Sequence, residues 1–225
     1  MTQKRTASEN VCAVVMGDLV LSTRAPDVAQ LHNIFNRAIA RHNDDPHAAP
    51  LSPLTITLGD EFQGLAKSLL AGMKTIRSLR FELLLSGVEC RFALGTARIE
   101  TPINHVNAWN MMGPGLAEAR ARLNEKADRS RYRFSLPERP SLEVALNAIG
   151  ASLTAVEVGW TETQRNDVIA LLSGKSVEEV ARIRNVSIHS VYKVRDAGHF
   201  AFYAAQWAAL HEVLARLDDE LELTS

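Results

Sequence analysis

The sequence predicts an α+β fold: a split βαβ sheet in the ferredoxin-like order, followed by an all-helical C-terminal segment. Three observations predict it. Over the first hundred residues, β-rich runs and segments with helical apolar spacing follow one another as β-α-β-β-α-β. Two of the strand-like runs meet a Gly-Asp step, in "VVMGDLVLST" (14–23) and "TITLGDEFQGL" (55–65). After about residue 155 the strand signals stop and capped helical segments take over.

The elements follow in order. Residues 11–16 are an apolar run and the first predicted strand. Residues 26–41 form a helix on the spacing of Val28, Leu31, Ile34, Phe35, Ala38 and Ile39. "HNDDPHAAPLSP" (42–53) is a loop by its Asn, Asp and Pro content. Residues 54–58 and 62–66 are two strands joined tightly through Gly59-Asp60-Glu61. A helix over 68–85, a strand over 89–100, a loop, and a helix from Leu116 to about Ala127 come next. "YRFS" (132–135) is a short strand and 140–153 a further helix. Beyond the proposed boundary, Thr161-x-x-Gln164 and Ser176-x-x-Glu179 are capping boxes, and Ser187 caps a third helix. A long helix from His199 to Leu221 carries Phe200, Ala204, Trp207, Leu210, Leu214 and Leu217 on one stripe, to pack on the first domain or on a second copy. Two domains are expected, 1–155 and 156–225.

Composition bounds the function. The 225 residues are 46% hydrophobic and 23% charged, with a formal net charge of −1. That is ordinary for a folded protein and excludes a global field for nucleic acid or lipid. The two cysteines, Cys12 and Cys90, sit in apolar runs, which argues against a disulfide framework or zinc site. No unbroken apolar run of membrane-spanning length and no signal-peptide core is evident, so a cytoplasmic protein without a membrane partner is expected.

Two adjacent acids, Asp60-Glu61, are poor strand material. A lone Gly-Asp is most simply a turn. In a split βαβ sheet, however, the first strand is expected beside the strand over 54–58, with both tips at one end, and Asp18 then falls near Asp60. Two carboxylates about 4 Å apart repel by roughly 4 kcal/mol at an effective dielectric near 20. A divalent cation or a retained proton relieves that repulsion. Hard oxygen donors favour Mg²⁺ or Mn²⁺, with phosphate oxygens completing the shell. A metal–nucleotide site is therefore predicted.

"MGDLVLST", "TITLGDEFQGL", "RFALGTARI" and "GPGLAEARARL" together resemble the SatD family of bacterial proteins, over most of the chain up to about residue 135. The two acidic motifs are also similar to those of the nucleotidyl cyclase superfamily, both class III and GGDEF types, with Leu58 at the first Gly of the latter signature. The resemblance implies a cyclase-like domain with Asp18 and Asp60 as metal ligands, the Leu19 carbonyl and Glu61 beside them, and Ser22, Thr23, Gly59 and Arg120 toward a nucleotide. Arg120 lies in "ARARLNEKADRSRYR" (119–133), which holds six bases and two acids. A solvated face with Glu118 paired to Arg122 is the plainer reading of that segment. Trp109 is read as packing.

Residues 164–198 resemble a helix-turn-helix of sigma region four and LuxR type. Residues 160–225 hold seven bases and ten acids, yet 180–195 carry Arg182, Arg184, Lys193 and Arg195 with no acid. These four, with His189, Ser190 and Tyr192, form the expected face toward double-stranded DNA. A homodimer would suit symmetric half-sites. Residues 50–59 contain no lysine or arginine, where class III cyclases carry a base-selecting lysine. On that ground the expectation is a DNA-binding transcription regulator sensing a nucleotide or divalent metal. The alternative is a nucleotidyl cyclase or other metal-dependent phosphate-transfer enzyme.

Overall fold

The computed structural model describes residues 11–20, 27–57, 59–125 and 127–223. Strand β1 (Val11–Leu19) leads to helix α1 (Val28–Asp44), then the hairpin of β2 (Ser52–Ile56) and β3 (Glu61–Ala66), helix α2 (Leu69–Leu85) and strand β4 (Cys90–Arg98). Helix α3 (Leu116–Leu123), strand β5 (Tyr132–Ser135) and helix α4 (Pro140–Val158) follow. The five strands form one mixed sheet in the order β2-β3-β1-β4-β5, antiparallel throughout except for β4 with β5.

The first strand runs three residues further than its apolar stretch predicts. Its neighbours are β3 and β4 rather than the 54–58 strand, which pairs with β3 instead. Gly17 and Asp18 are paired on both sides, Asp18 with Glu61 of β3 and with Arg91 of β4. A central position and an arginine cross-strand neighbour keep an acid in a strand that propensity alone would end. Helix α4 likewise continues to Val158.

The alternation of β1 divides the core. Ala13 and Val15 face α1 and α2, with Phe35, Ile39, Met73 and Ile76, while Cys12, Val14 and Met16 face Ala119 and Leu123 of α3. Both cysteines are buried and free, and burial pushes the Cys12 thiol up to about 12.

Helices α5 (Glu162–Leu172), α6 (Val177–Arg184), α7 (Ile188–Ala197) and α8 (Phe200–Glu220) complete the chain. Thr161, Ser176 and Ser187 accept from Gln164, Glu179 and Ser190 amides as N-caps of α5, α6 and α7. The long stripe of α8 packs inward. Tyr203, Trp207, Leu210, Leu214 and Leu217 share the core of the sheet, and Trp207 stands edge-on to Tyr132 at 5.4 Å. Asp218 accepts from the Leu69 and Leu70 amides at 2.7 and 2.9 Å, so α8 caps the start of α2.

Beneath α8 lies a buried ionic cluster. Glu157 of α4 accepts from Arg80 Nε and Nη2 at 2.8 and 2.7 Å and from the hydroxyls of Tyr132 and Tyr203. Glu89 extends the cluster outward, accepting from Arg80 at 3.2 Å and Arg131 at 2.8 Å. Partial burial opposes ionisation of Glu89, but the Arg80 and Arg131 guanidinium groups prevail and hold its carboxyl below the ordinary value. A depressed carboxylate adds stability above its unfolded-state value of 4.5 and loses it as pH falls below that. Glu89→Gln should therefore flatten the acid side of a Tm-against-pH curve; an unchanged acid slope would contradict this coupling.

Candidate functional site

The end of β1, the β2–β3 turn and the start of β4 meet at one rim of the sheet. Asp18 and Glu61 are register partners, and the Leu19 amide donates to the Asp60 carbonyl at 3.0 Å. Gly59 makes the turn at φ +74°, where nothing would meet a Cβ but the backbone favours glycine. Arg91 enters from β4 and donates to Asp18 Oδ2 through Nε at 2.7 Å and through Nη2. Asp18, Glu61, Gln63 and Arg91 all stand on the α3 side of the sheet by register.

The carboxylates feel one another. Burial raises the Asp18 carboxyl above its ordinary value, and Asp60 adds to this, while the bond from Arg91 opposes it. Burial also raises Glu61, and the charges of Asp18 and Asp60 push the same way against Arg120 and Arg91. Among the described residues no group of three or more His, Cys, Asp or Glu side chains is disposed to hold a metal ion.

Beside this rim an open cleft of about 460 Å³ is lined by Thr57, Gln63, Trp109, Asn110 and Arg120, among others. Gln63 is buried; its amide nitrogen donates to the Ala108 carbonyl at 2.8 Å, and its oxygen accepts from Arg120 at 3.1 Å. Trp109, expected to be packing, is 48% exposed at the cleft. Glu118 does not pair with Arg122: it accepts from the Gly115 amide at 2.9 Å, and Arg122 bonds Glu125 instead. The "GPG" step is a close-approach device. A Cβ on Gly113 would sit 1.8 Å from the Arg98 carbonyl oxygen, so only glycine lets the loop cross β4 there.

Arg133 holds α3 in place. It is buried on the α3 face and donates to the carbonyls of Arg122 at 3.0 Å, Leu123, Asp128 and Ser130. These are carbonyls of the last turn of α3 and of the loop after it, where the helix's own amides run out. Arg133→Met should cost about 1.5–3 kcal/mol in a denaturant titration, the scale of hydrogen bonds to a charged group.

Of the expected site residues, Asp18, Leu19, Gly59, Asp60 and Glu61 gather at the rim and Arg120 at the cleft. Ser22 and Thr23 lie outside the described residues. Sequence reasoning missed Arg91 and Gln63; only the strand register brings them here.

The residues chosen to face DNA are differently placed. Arg184 pairs with Asp167, and Arg195 bonds Asp196 and lies over the Tyr192 ring at 4.7 Å. The Ser190 hydroxyl sits 3.0 Å from that of Ser187. His189, Lys193 and Arg182 remain exposed.

A match to the SatD family covers residues 12–194. The chain belongs to the SatD family. The match crosses residue 155 and takes in α5, α6 and most of α7. No curated protein matches this SatD-family chain. Among solved structures it is similar to a bacterial light-regulated adenylyl cyclase at 15% identity, with a TM-score of 0.41 over 56% of this chain and 75% of the other. A second structure of a bacterial light-regulated adenylyl cyclase gives 14% identity and a TM-score of 0.38, over 56% of this chain and 43% of the other.

The expectation of a DNA-binding transcription regulator is corrected. Its charge premise fails, because two of the four bases in 180–195 are paired with Asp167 and Asp196. One acid comes from a neighbouring helix and the other lies one residue beyond the window, so a count along the segment overstated the local field.

Proposed function

We propose that this chain is a metal-dependent enzyme of nucleotide phosphate chemistry, a nucleotidyl cyclase or a related phosphate-transfer enzyme. One observation carries the reading: the Asp18–Arg91 pair, its register partner Glu61 and the turn that holds Asp60 meet at one rim of the sheet, beside a cleft bordered by Arg120. We read the strand order β2-β3-β1-β4 as the split βαβ arrangement, with β5 added in parallel.

The donors suit a hard divalent cation. All are carboxylate or carbonyl oxygens; burial raises the Glu61 carboxyl first, the charges of Asp18 and Asp60 push the same way, and a dication would relieve that repulsion. Magnesium bound together with a substrate's phosphates needs only one or two protein carboxylates. Asp18 and Asp60 would supply these, with the Leu19 carbonyl and Glu61 adjacent. The bound ion would neutralise phosphate charge and act as a Lewis acid. Arg91 orients Asp18 by holding Oδ2. Arg120, steadied by Gln63, sets a positive charge at the cleft where a phosphate chain would lie.

Incubation with ATP or GTP and Mn²⁺ or Mg²⁺ tests the reading. A cyclic nucleotide with pyrophosphate, or released phosphate, is expected by chromatography. No turnover of either triphosphate with either metal overturns it.

A further inference from the structure

Helix α4 buries Leu146 and Leu153 in the core, but its polar side chains also turn inward. Its polar residues face the protein: Glu143 accepts from the Leu136 amide at 2.6 Å, and Asn147 exchanges bonds with the Phe134 amide and carbonyl at 2.9 and 3.1 Å. Thr154 accepts from the Arg131 amide at 2.9 Å, and Glu157 holds the buried cluster. These side chains satisfy backbone groups along β5, the edge strand of the sheet. One residue further round, Val144, Ala148, Ala151, Ala155 and Val158 recur at spacings of four, three, four and three, and all five are exposed. Both charges of the helix, Glu143 and Glu157, turn inward. A solvated helix face carries charges; this one carries none.

At the C-terminal end of the same face, a groove of about 380 Å³ lies between α4 and the α7–α8 corner, lined by Ser152, Ala155, Trp160 and Phe202 among others. Trp160 donates to the Gly198 carbonyl at 2.8 Å and stands edge-on to Tyr203 at 4.8 Å, so this wall is fixed. Phe202 is 57% exposed and Val144 and Val158 are each 70% exposed.

We propose that this face of α4 is a homodimer contact, occupied by α4 of a second copy packed antiparallel about Ala151. The order of sizes supplies the reason. Val-Ala-Ala-Ala-Val reads the same in both directions, with a valine seven residues to either side of Ala151. A two-fold interface needs one self-complementary patch. Antiparallel packing sets Val144 against the partner's Val158 and brings it to the groove beside the partner's Phe202. The alanines permit close approach of the helices, and the 3.5-residue period keeps the seam in contact. A lipid surface fits less well, because a membrane-lying helix carries Lys or Arg on its polar face and α4 has neither from Pro140 to Val158. A 19-residue helix is about 28 Å long and ~10 Å wide, roughly 300 Å² per copy. That is below the standard interface of about 800 Å² per partner, so the dimer is a weak, concentration-dependent one.

The full chain carrying Ala151→Cys tests the geometry, since only a residue on the dyad meets itself. Cys12 and Cys90 are buried and give little background. Mild oxidation should link Ala151→Cys to itself, and should link Val144→Cys to Val158→Cys in a mixture. Val106→Cys, at an 82% exposed loop position, should stay monomeric. Sedimentation velocity up to about 0.1 mM should show a monomer–dimer equilibrium whose midpoint rises at least about tenfold in Val144→Asp, with circular dichroism unchanged. A monomer at every concentration, Ala151→Cys no more linked than Val106→Cys, or a monomer that instead floats with anionic vesicles would each overturn the proposal.

Discussion

Glu157→Ala will destabilise the fold by about 3–5 kcal/mol, because it strands the Arg80 guanidinium without its partner in the core. Both side chains of the pair are buried, and the same carboxylate receives the Tyr132 and Tyr203 hydroxyls. Four elements lose their common anchor: α2 through Arg80, β5 through Tyr132, α4 through Glu157 and α8 through Tyr203. Burial is the largest cause that holds both tyrosines far above the ordinary phenol value, and it persists in the variant and opposes their ionising to replace the lost anion. Glu89 touches Arg80 at 3.2 Å but is half exposed and shared with Arg131, so it compensates only in part. Thermal unfolding should show the loss, with the α8 amides exchanging faster than those of β1. The double variant Arg80→Met with Glu157→Met should recover much of the stability, since apolar replacement of a buried pair is often neutral. A double variant as unstable as Glu157→Ala would mean that the tyrosine bonds, not the stranded charge, dominate.

Asp18→Asn and Asp60→Asn should each lower the proposed phosphate-transfer rate by about 10²-fold or more, the scale of losing one preorganised electrostatic contact to a transition state. Asp18 is buried against Arg91, so Asp18→Asn also weakens a charged contact at the sheet rim and should lower Tm modestly. Asp60 lies in the turn before β3. Calorimetry with Mn²⁺ and a nonhydrolysable triphosphate separates binding from turnover. Full activity in Asp60→Asn, measured with the parent chain active, would remove this carboxylate from the site.

The helix caps show how far local chemistry reaches. Thr161, Ser176 and Ser187 each bond an amide three residues ahead, so α5, α6 and α7 begin where the sequence places them. Strand and helix identities follow equally local periodicities. Helix α4 shows the limit: beside the buried Leu146 and Leu153 its inward face also carries polar residues because β5 needs edge partners, and no periodicity along the helix announces which face a neighbouring strand will take.

The sequence by itself determined the order of elements, their caps and turns, and the chemical types at the two Gly-Asp steps, because each depends on residues within one or two turns of chain. Only the tertiary structure decided that Arg91 meets Asp18 across seventy-three residues, that Gln63 steadies Arg120, and that Asp167 pairs with an arginine that looked free. Those contacts rest on strand register and helix packing. Both are set by burial summed over the whole core, and a charge counted along the chain carries no record of which charge it will face.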